Sequence, residues 1–247
     1  MTSIAFQNVC VDFPVASHRA HSIKNVMIEK ARRIGGRMVD GSTTTRAVRA
    51  LDNVSFRLQE GDRLGLIGHN GSGKTTLLRV IADIFAPTSG RVDVVGKCVS
   101  MFDIGIGIDA DASGYENIYM RGLILGLSER QIEQKTQEIA EFSELGSYLE
   151  LPVRTYSSGM AMRLMFSIAT AVEGNIVLMD EWIAVGDQDF RRKANERLEQ
   201  VTARAGILVI ASHEPTLLEG LCNLGLAMEM GRVKSFGPIG DVLAEFG

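Results

Sequence analysis

Two features are missing from this sequence. It has no apolar run long enough to cross a bilayer, and it lacks the basic start and apolar stretch of a secretion signal. Its cysteines, Cys10, Cys98 and Cys222, lie far apart and not at metal-ligand spacing, which disfavours a disulfide framework. The formal net charge of −4 at pH 7 gives no general attraction to nucleic acid. We therefore expect a cytoplasmic protein with no nucleic-acid partner.

The length of 247 residues predicts one large α/β domain, alone or with a subdomain. Three near-continuous apolar runs late in the chain are typical of parallel strands buried on both faces. Before them, apolar residues recur at helical spacing and predict an inserted helical subdomain at about 105–173. The predicted strands are 3–11, 50–58, 64–67, 91–95, 99–102, 176–179, 207–211 and 224–228, and the predicted helices are 76–81, 115–125, 129–143 and 158–172.

The most specific motif is Gly-His-Asn-Gly-Ser-Gly-Lys-Thr at 68–75, between a strand-like run and a helix-like segment. In this G-x-x-x-x-G-K-[ST] pattern, glycines let successive backbone N–H groups point at phosphate oxygens. Lys74 is expected to reach the β- and γ-phosphates, and the Thr75 hydroxyl to bind Mg²⁺. A glycine-rich turn that only holds phosphate is the alternative, which the full spacing disfavours. The predicted nucleotide-binding residues here are Gly68, Asn70, Gly71, Ser72, Gly73, Lys74, Thr75 and Thr76.

Acidic and histidine residues follow two of the apolar runs. Asp180 and Glu181 come directly after the run 176–179, and His213 comes soon after 207–211. Open α/β sheets bind ligands at the carboxyl ends of their strands. Asp180 is therefore predicted to hold Mg²⁺, directly or through water, and Glu181 to act as general base toward an attacking water. His213 could hydrogen-bond the γ-phosphate. Taken alone, such residues are ordinarily solvated acids and a satisfied histidine.

A short segment before a predicted helix, Tyr-Ser-Ser-Gly-Met at 156–160, lies about twenty residues before the two carboxylates. With the phosphate loop and His213, it resembles an ATP-binding-cassette (ABC) ATPase, and the likeness covers nearly the whole chain. In that family, the matching segment of one subunit binds the γ-phosphate held by the other. The resemblance implies that Ser157, Ser158 and Gly159 contact ATP across a homodimer. Taken alone, these residues would only start a helix.

Two segments are similar to the ATPase subunits of bacterial polysaccharide exporters of O-antigen, capsule or teichoic acid. The first is 156–160 followed by 180–190, and it implies that 184–187 is the D-loop, with Asp187 near the nucleotide. The second, 102–119, resembles their linker into the helical subdomain. Most ABC ATPases have a glutamine in this linker; this chain has none, and Asp103 is the best match for a Mg²⁺-linked residue. Apolar residues around the linker predict a groove for a membrane partner's helix: Met101, Phe102, Ile104, Ile106, Ile108, Tyr115, Ile118, Tyr119 and Leu123.

A basic insertion distinguishes this chain from a minimal cassette. Phe13 is the expected adenine-stacking aromatic, and about thirty residues at 14–47 separate it from the next strand. Within 19–49 there are eight Lys and Arg residues against Glu29 and Asp40. We interpret the insertion either as a solvated loop with one local helix or as an element at the membrane surface or the permease, and both alternatives stay open.

The expected fold is α/β: an ABC-type P-loop ATPase core with an N-terminal antiparallel β subdomain and an inserted α-helical subdomain, in a single domain, 1–247. The resemblance implies a homodimer that binds ATP and Mg²⁺ at the cytoplasmic face of the membrane, with two copies of a transmembrane permease. It would power export of a lipid-linked polysaccharide. The alternatives are the ATPase of another ABC transporter class, a soluble ABC-type ATPase, or a sensor without turnover. No C-terminal carbohydrate-binding domain is expected, because the chain ends at Gly247.

Overall fold

A computed structural model describes the protein over residues 1–15, 37–40, 46–102, 104–182 and 188–246. The chain divides into two compact units. The sheet unit consists of Met1–Cys98, Asn175–Glu181 and Ala205–Gly247, and the helical unit of Val99–Gly174 and Trp182–Arg204. Within the described ranges, no helix is long and apolar enough to span a membrane.

An antiparallel sheet is formed by residues from the first part of the chain. Its strands are β1 (Ser3–Val15), β2 (Arg37–Asp40), β3 (Arg46–Gln59) and β5 (Ser89–Val95), in the order β2-β3-β1-β5. The register of β1 and β3 places Phe6 opposite Phe56, and their rings stack with centroids 4.7 Å apart. Such cross-strand aromatic pairs stabilise a sheet. The predicted antiparallel β subdomain is confirmed.

A second sheet has six strands in the order β10-β9-β4-β8-β7-β6. Strand β8 pairs in parallel with β4 and β7, and β4 with β9, whereas β10 is antiparallel to β9. Every residue of β8 is buried, which explains its continuous apolar sequence. The strands are β4 (Arg63–Ile67), β6 (Cys98–Ser100), β7 (Ile176–Asp180), β8 (Ile207–Ala211), β9 (Leu224–Glu229) and β10 (Arg232–Pro238).

The parallel pairing decides where the loops of the sheet unit lie. Because β4, β7 and β8 run in the same direction as neighbours, the residues that follow them leave the sheet at one edge. The segment 68–75 follows β4, Glu181 follows β7, and the pair 212–213 follows β8. The fold therefore gathers the three predicted site segments of this unit.

The described residues contain seven α-helices. Helices α1, α6 and α7 belong to the sheet unit, and α2 to α5 to the helical unit. Their bounds are α1 (Lys74–Ile81), α2 (Gly114–Ile124), α3 (Glu129–Ser143), α4 (Ser158–Ala171), α5 (Gln188–Arg204), α6 (Pro215–Leu221) and α7 (Ile239–Phe246), and two short 3₁₀ helices cover Gly146–Glu150 and Val153–Thr155.

Capping boxes start two helices of the helical unit. The Ser113 hydroxyl accepts a hydrogen bond from Glu116 N–H, while the Glu116 carboxylate accepts one from Ser113 N–H, and Ser128 and Gln131 repeat the arrangement at α3. These contacts satisfy N–H groups that a helix start leaves free. The helices pack around an apolar core of Ile118, Ile139, Leu145, Leu149, Val153, Leu164, Ile168 and Ala171.

Several sequence predictions need correction. The strand predicted at 99–102 is wrong in its second half, because β6 ends at Ser100; Met101 and Phe102 are buried but lie in no strand. Helix α5 was not predicted because its sequence is strongly polar, and β10 was not predicted because exposed and half-buried residues alternate along it. Most of the predicted insertion, 14–47, lies outside the described residues.

The three cysteines are free. Cys222 is buried, whereas Cys10 and Cys98 are half-buried. Burial raises the pKa of Cys222 to about 12 and that of Cys98 to about 11. Both side chains therefore stay protonated at neutral pH and serve the packing of the fold.

Candidate functional site

The loop 68–75 has three glycines with a positive φ, Gly68, Gly71 and Gly73, and close neighbours leave no room for a Cβ at Gly68 and Gly73. Gly68 has a φ of +155° and Gly73 a φ of +110°. A Cβ at Gly68 would lie 2.5 Å from the Met228 carbonyl oxygen, and one at Gly73 would lie 2.8 Å from the Ala50 carbonyl oxygen. Two flanking strands therefore press on the loop and fix its path.

Backbone hydrogen bonds of Ser72, in the middle of the loop, also fix its conformation. Ser72 N–H donates to the His69 carbonyl at 3.1 Å, and Gly231 N–H donates to the Ser72 carbonyl at 2.9 Å. Helix α1 begins directly after Gly73, so the first N–H groups of α1 open toward the loop. A loop that leads into a helix N-terminus in this way is suited to bind an anion.

The Lys74 side chain lies within the loop. It is 7% exposed, and its Nζ donates to the carbonyl oxygens of Gly68 at 2.5 Å and His69 at 3.2 Å. Burial lowers the pKa of Lys74, and the nearby carboxylates of Asp180 and Glu181 oppose that shift. The loop thus holds the Lys74 ammonium group at its centre with its own carbonyl oxygens.

Thr75 joins the loop to the end of β7. Its Oγ1 donates to Asp180 Oδ2 at 2.7 Å. The hydroxyl and the carboxylate supply two oxygen ligands, the kind that Mg²⁺ prefers alongside phosphate oxygens and water. In the described part of the chain there is no group of three or more His, Cys, Asp or Glu residues that could hold a metal. Mg²⁺ commonly takes only one or two protein ligands and fills its octahedral shell with phosphate oxygens and water, and the pair fits that pattern.

Glu181 stands at the edge of the sheet in an unusual conformation. Its φ is +71°, in the left-handed region, and its N–H donates to the Ala211 carbonyl at 2.8 Å. Non-glycine residues held there cost about 1–3 kcal/mol and cluster at functional sites. Glu181 Oε1 lies 3.7 Å from His213 Nε2, and Oε2 lies 3.2 Å from Ser212 Oγ.

His213 connects the carboxylate to the phosphate loop. Its Nε2 lies 3.0 Å from Asn70 Oδ1, a hydrogen bond when Nε2 is protonated. Asn70, Glu181 and His213 therefore form one polar group beside Lys74 and Thr75. Sequence reasoning placed these five residues in a site, and the structure brings them together. It missed Ser212, although the strand-end rule that selected His213 applies equally to its neighbour.

The remaining predicted site residues fall into three groups. Phe13 is half-buried on β1, with its ring edge-on to Phe85 at 5.2 Å between centroids, and Gly71 and Thr76 lie in the loop and in the first turn of α1. Ser157, Ser158 and Gly159 lie in the helical unit at the start of α4. Asp103 and Asp187 lie outside the described residues.

Comparison with known proteins identifies the family. The sequence pattern of the family described as "ABC transporter" matches residues 51–184, which is more than half of the chain. This chain belongs to the ABC transporter family. The prediction of that family and the ABC ATPase fold are confirmed.

Two relatives and one solved structure illustrate the similarity of this ABC protein. "O-antigen export system ATP-binding protein RfbE" of Yersinia enterocolitica is 45% identical over 94% of this chain and 97% of its own length. "O-antigen export system ATP-binding protein RfbB" of Myxococcus xanthus is 39% identical over 81% of this chain, which spans 46% of that relative. The cassette MJ0796, solved as a dimer bound to ADP and Pi, shares the fold with a TM-score of 0.67 at 17% identity, over 96% of this chain and 98% of that one.

The close contacts of Gly73 lead to a test of the loop in this ABC protein. Gly73→Ala should weaken ATP binding about tenfold or more, because strain and the contact with the Ala50 carbonyl force the loop to move. Gly61→Ala is the control: φ is also positive there, +97°, but no atom lies within 4 Å of the added Cβ. Titration with a fluorescent ATP analogue measures both affinities, and equal affinities in the two variants would contradict the role given to the loop.

Proposed function

We propose that this chain is the ATP-hydrolysing, nucleotide-binding subunit of a transporter that exports a lipid-linked polysaccharide across the cytoplasmic membrane. The grouping of Lys74, Thr75, Asp180, Glu181 and His213 at one edge of the parallel sheet carries the hydrolytic part of the proposal. The relative named as an O-antigen export protein, 45% identical over almost its full length, supports the export part. An ATPase of another ABC transporter class is the alternative, because nothing in the site selects the cargo.

The phosphate loop and α1 bind and orient the triphosphate. Backbone N–H groups of 68–75 face the phosphate oxygens, and Lys74 exchanges its carbonyl partners for the β- and γ-phosphates. Thr75 and Asp180 are the residues that would hold Mg²⁺. When bound, that ion neutralises phosphate charge and draws electron density from the phosphorus.

Glu181 is the proposed general base. Its Oε1 has no hydrogen on it when ionised and can accept the proton of a water that attacks the γ-phosphorus. His213 lies between Glu181 and Asn70 and is placed to donate a hydrogen bond from Nε2 to the γ-phosphate. The bond between the γ-phosphorus and the bridging oxygen breaks, and ADP and phosphate leave.

Replacement of the base tests hydrolysis separately from binding. Glu181→Gln keeps the shape but cannot take a proton, so kcat should fall by about a hundredfold or more while ATP affinity stays near wild type. Lys74→Ala should lower both kcat and ATP affinity, and the transition state should lose about 2.7–4 kcal/mol of stabilisation. Steady-state phosphate release and equilibrium binding give the two values. Glu199→Gln, an exposed glutamate on α5, is the control, and wild-type turnover in Glu181→Gln would exclude this base.

A second part of the proposal is that two copies of the chain share each ATP. Ser157 caps α4 by accepting the Met160 N–H at 3.2 Å, and both Ser157 and Ser158 are exposed. A Cβ at Gly159 would contact only Ser157 Oγ, at 3.9 Å. The start of α4 is therefore an open helix N-terminus that can receive a γ-phosphate from a partner subunit.

Mixing two inactive variants tests this sharing. If each site takes Lys74 from one subunit and Ser157 from the other, a heterodimer of Lys74→Ala and Ser157→Ala has one site with both changes and one with neither. ATPase activity should then partly return on mixing, in a fraction set by heterodimer content. If both residues serve a site within one subunit, every site keeps one change and no activity returns.

The membrane partner is proposed to dock on one face of α2. Tyr115, Tyr119 and Leu123 recur at every fourth position and are each more than 40% exposed, and Ile106 is 60% exposed. Of the residues predicted to line this groove, Met101, Phe102 and Ile118 are instead buried and serve the core. The docking surface is therefore narrower than the sequence predicts and centred on the exposed residues of α2.

A charge placed on that face should prevent assembly without harming the phosphate site. Tyr119→Asp is expected to reduce co-purification with the permease subunit several-fold, since a carboxylate would be buried against an apolar partner. ATP binding by the isolated subunit should stay at the wild-type level. Val95→Asp, at another exposed apolar position in β5, is the control. Unchanged co-purification of Tyr119→Asp would move the docking surface elsewhere.

The remaining parts of the proposal concern the place of action. We place the subunit at the cytoplasmic face of the membrane, attached through the permease, with a basic insertion at 14–47 that faces either solvent or the membrane. Mg²⁺, the homodimer, two permease copies and the lipid-linked cargo belong to the same proposal. The comparison with O-antigen exporters supports it, and the proposal of a lipid-linked polysaccharide as cargo rests on that comparison alone.

A further inference from the structure

Ser212 is a buried hydroxyl beside the proposed base. It directly follows β8 and is 4% exposed. Its Oγ lies 3.2 Å from Glu181 Oε2 and accepts a hydrogen bond from Glu214 N–H at 3.1 Å. The sequence motifs and the family comparison assign this side chain no role.

The donors and acceptors available show which way the hydrogen bond between Ser212 and Glu181 runs. A serine hydroxyl has one proton, and an ionised carboxylate only accepts. The Glu214 N–H already occupies an acceptor site of Ser212 Oγ, so the hydroxyl proton points to Glu181 Oε2. Hydrogen bonds with an ionised partner are stronger than neutral ones.

Strand β8 and the residue that follows it therefore make two hydrogen bonds to Glu181, one to its backbone and one to its side chain. The Ala211 carbonyl accepts the Glu181 N–H, and the Ser212 hydroxyl donates to its carboxylate. The Glu181 side chain is otherwise half exposed, and an exposed glutamate samples several rotamers. With Oε2 occupied by Ser212, Oε1 is the oxygen left beside His213 Nε2.

We infer that Ser212 is a positioning residue for the catalytic base: it holds Glu181 Oε2 so that Oε1 faces the attacking water. The inference rests on the proposed function, since it assumes that Glu181 takes the proton. In this role Ser212 acts through Glu181 and not directly on the nucleotide or the water. Its loss should therefore lower kcat and leave the KM for ATP almost unchanged.

The test is a set of variants measured in the dimeric protein with Mg-ATP. Ser212→Ala should lower kcat about tenfold with KM within about twofold. Ser143 is a buried serine whose hydroxyl donates to the Ala140 carbonyl in α3, and Ser143→Ala should keep wild-type kcat. Wild-type kcat in Ser212→Ala, or an equal fall in Ser143→Ala, would overturn the inference.

Ser212→Thr and Ser212→Val have side chains of equal shape, so comparing them separates loss of the hydroxyl from a change in packing. Ser212 lines a cavity of about 240 Å³ together with Ile67 and Leu218, and threonine and valine add a group of the same size there. Ser212→Thr keeps the hydroxyl and should restore most of kcat, whereas Ser212→Val should not. Equal kcat in these two variants would overturn the inference, even if Ser212→Ala does not fold.

A double variant separates this inference from the proposed function. In the Glu181→Gln background, Ser212→Ala should change single-turnover phosphate release by less than about twofold, because the carboxylate it positions is gone. An undiminished tenfold effect there would show a role unrelated to Glu181 and would overturn the inference. If Glu181→Gln loses turnover while Ser212→Ala does not, only the role of Ser212 fails; if Glu181→Gln keeps turnover, the proposed base and this inference fail together.

Discussion

The parallel pairing of β4, β8 and β7 is the constraint on which the candidate site depends. It turns three segments that are far apart in the sequence, 68–75, 180–181 and 212–213, into neighbours at one sheet edge. The contacts of Glu181 with Ala211 and Ser212 then cross between the adjacent strands β7 and β8, and the hydrogen bond from Thr75 to Asp180 joins the first turn of α1 to the end of β7. A one-residue slip between β7 and β8 would separate Glu181 from both of its partners.

The sequence predicts the parts of the protein whose patterns are local. The strands 176–179 and 207–211 and the helix 129–143 follow from apolar runs and apolar periodicity, and the structure confirms them. The candidate site residues follow from patterns that are also local: glycine spacing predicts the phosphate loop, and position at a strand end predicts Asp180, Glu181 and His213.

What the sequence did not predict depends on contacts between distant residues. The mostly polar helix α5 has only a narrow apolar stripe, the buried residues Phe190, Ala194 and Leu198, and it was not detected from the sequence. The burial of Phe102 and the exposure of Tyr119 cannot be read from two aromatic residues that lie in similar sequence surroundings. Ser212 was not predicted because a lone serine indicates no particular role in the sequence, and its carboxylate partner, Glu181, comes from a neighbouring strand.

The environment of Lys74 bears on the stability of the loop. A buried ammonium group without any acceptor would destabilise the fold, and here two loop carbonyls receive it. Because these carbonyls belong to Gly68 and His69, at the start of the loop, the lysine at its end also closes the loop on itself. Loss of this side chain would therefore loosen the loop as well as remove its positive charge.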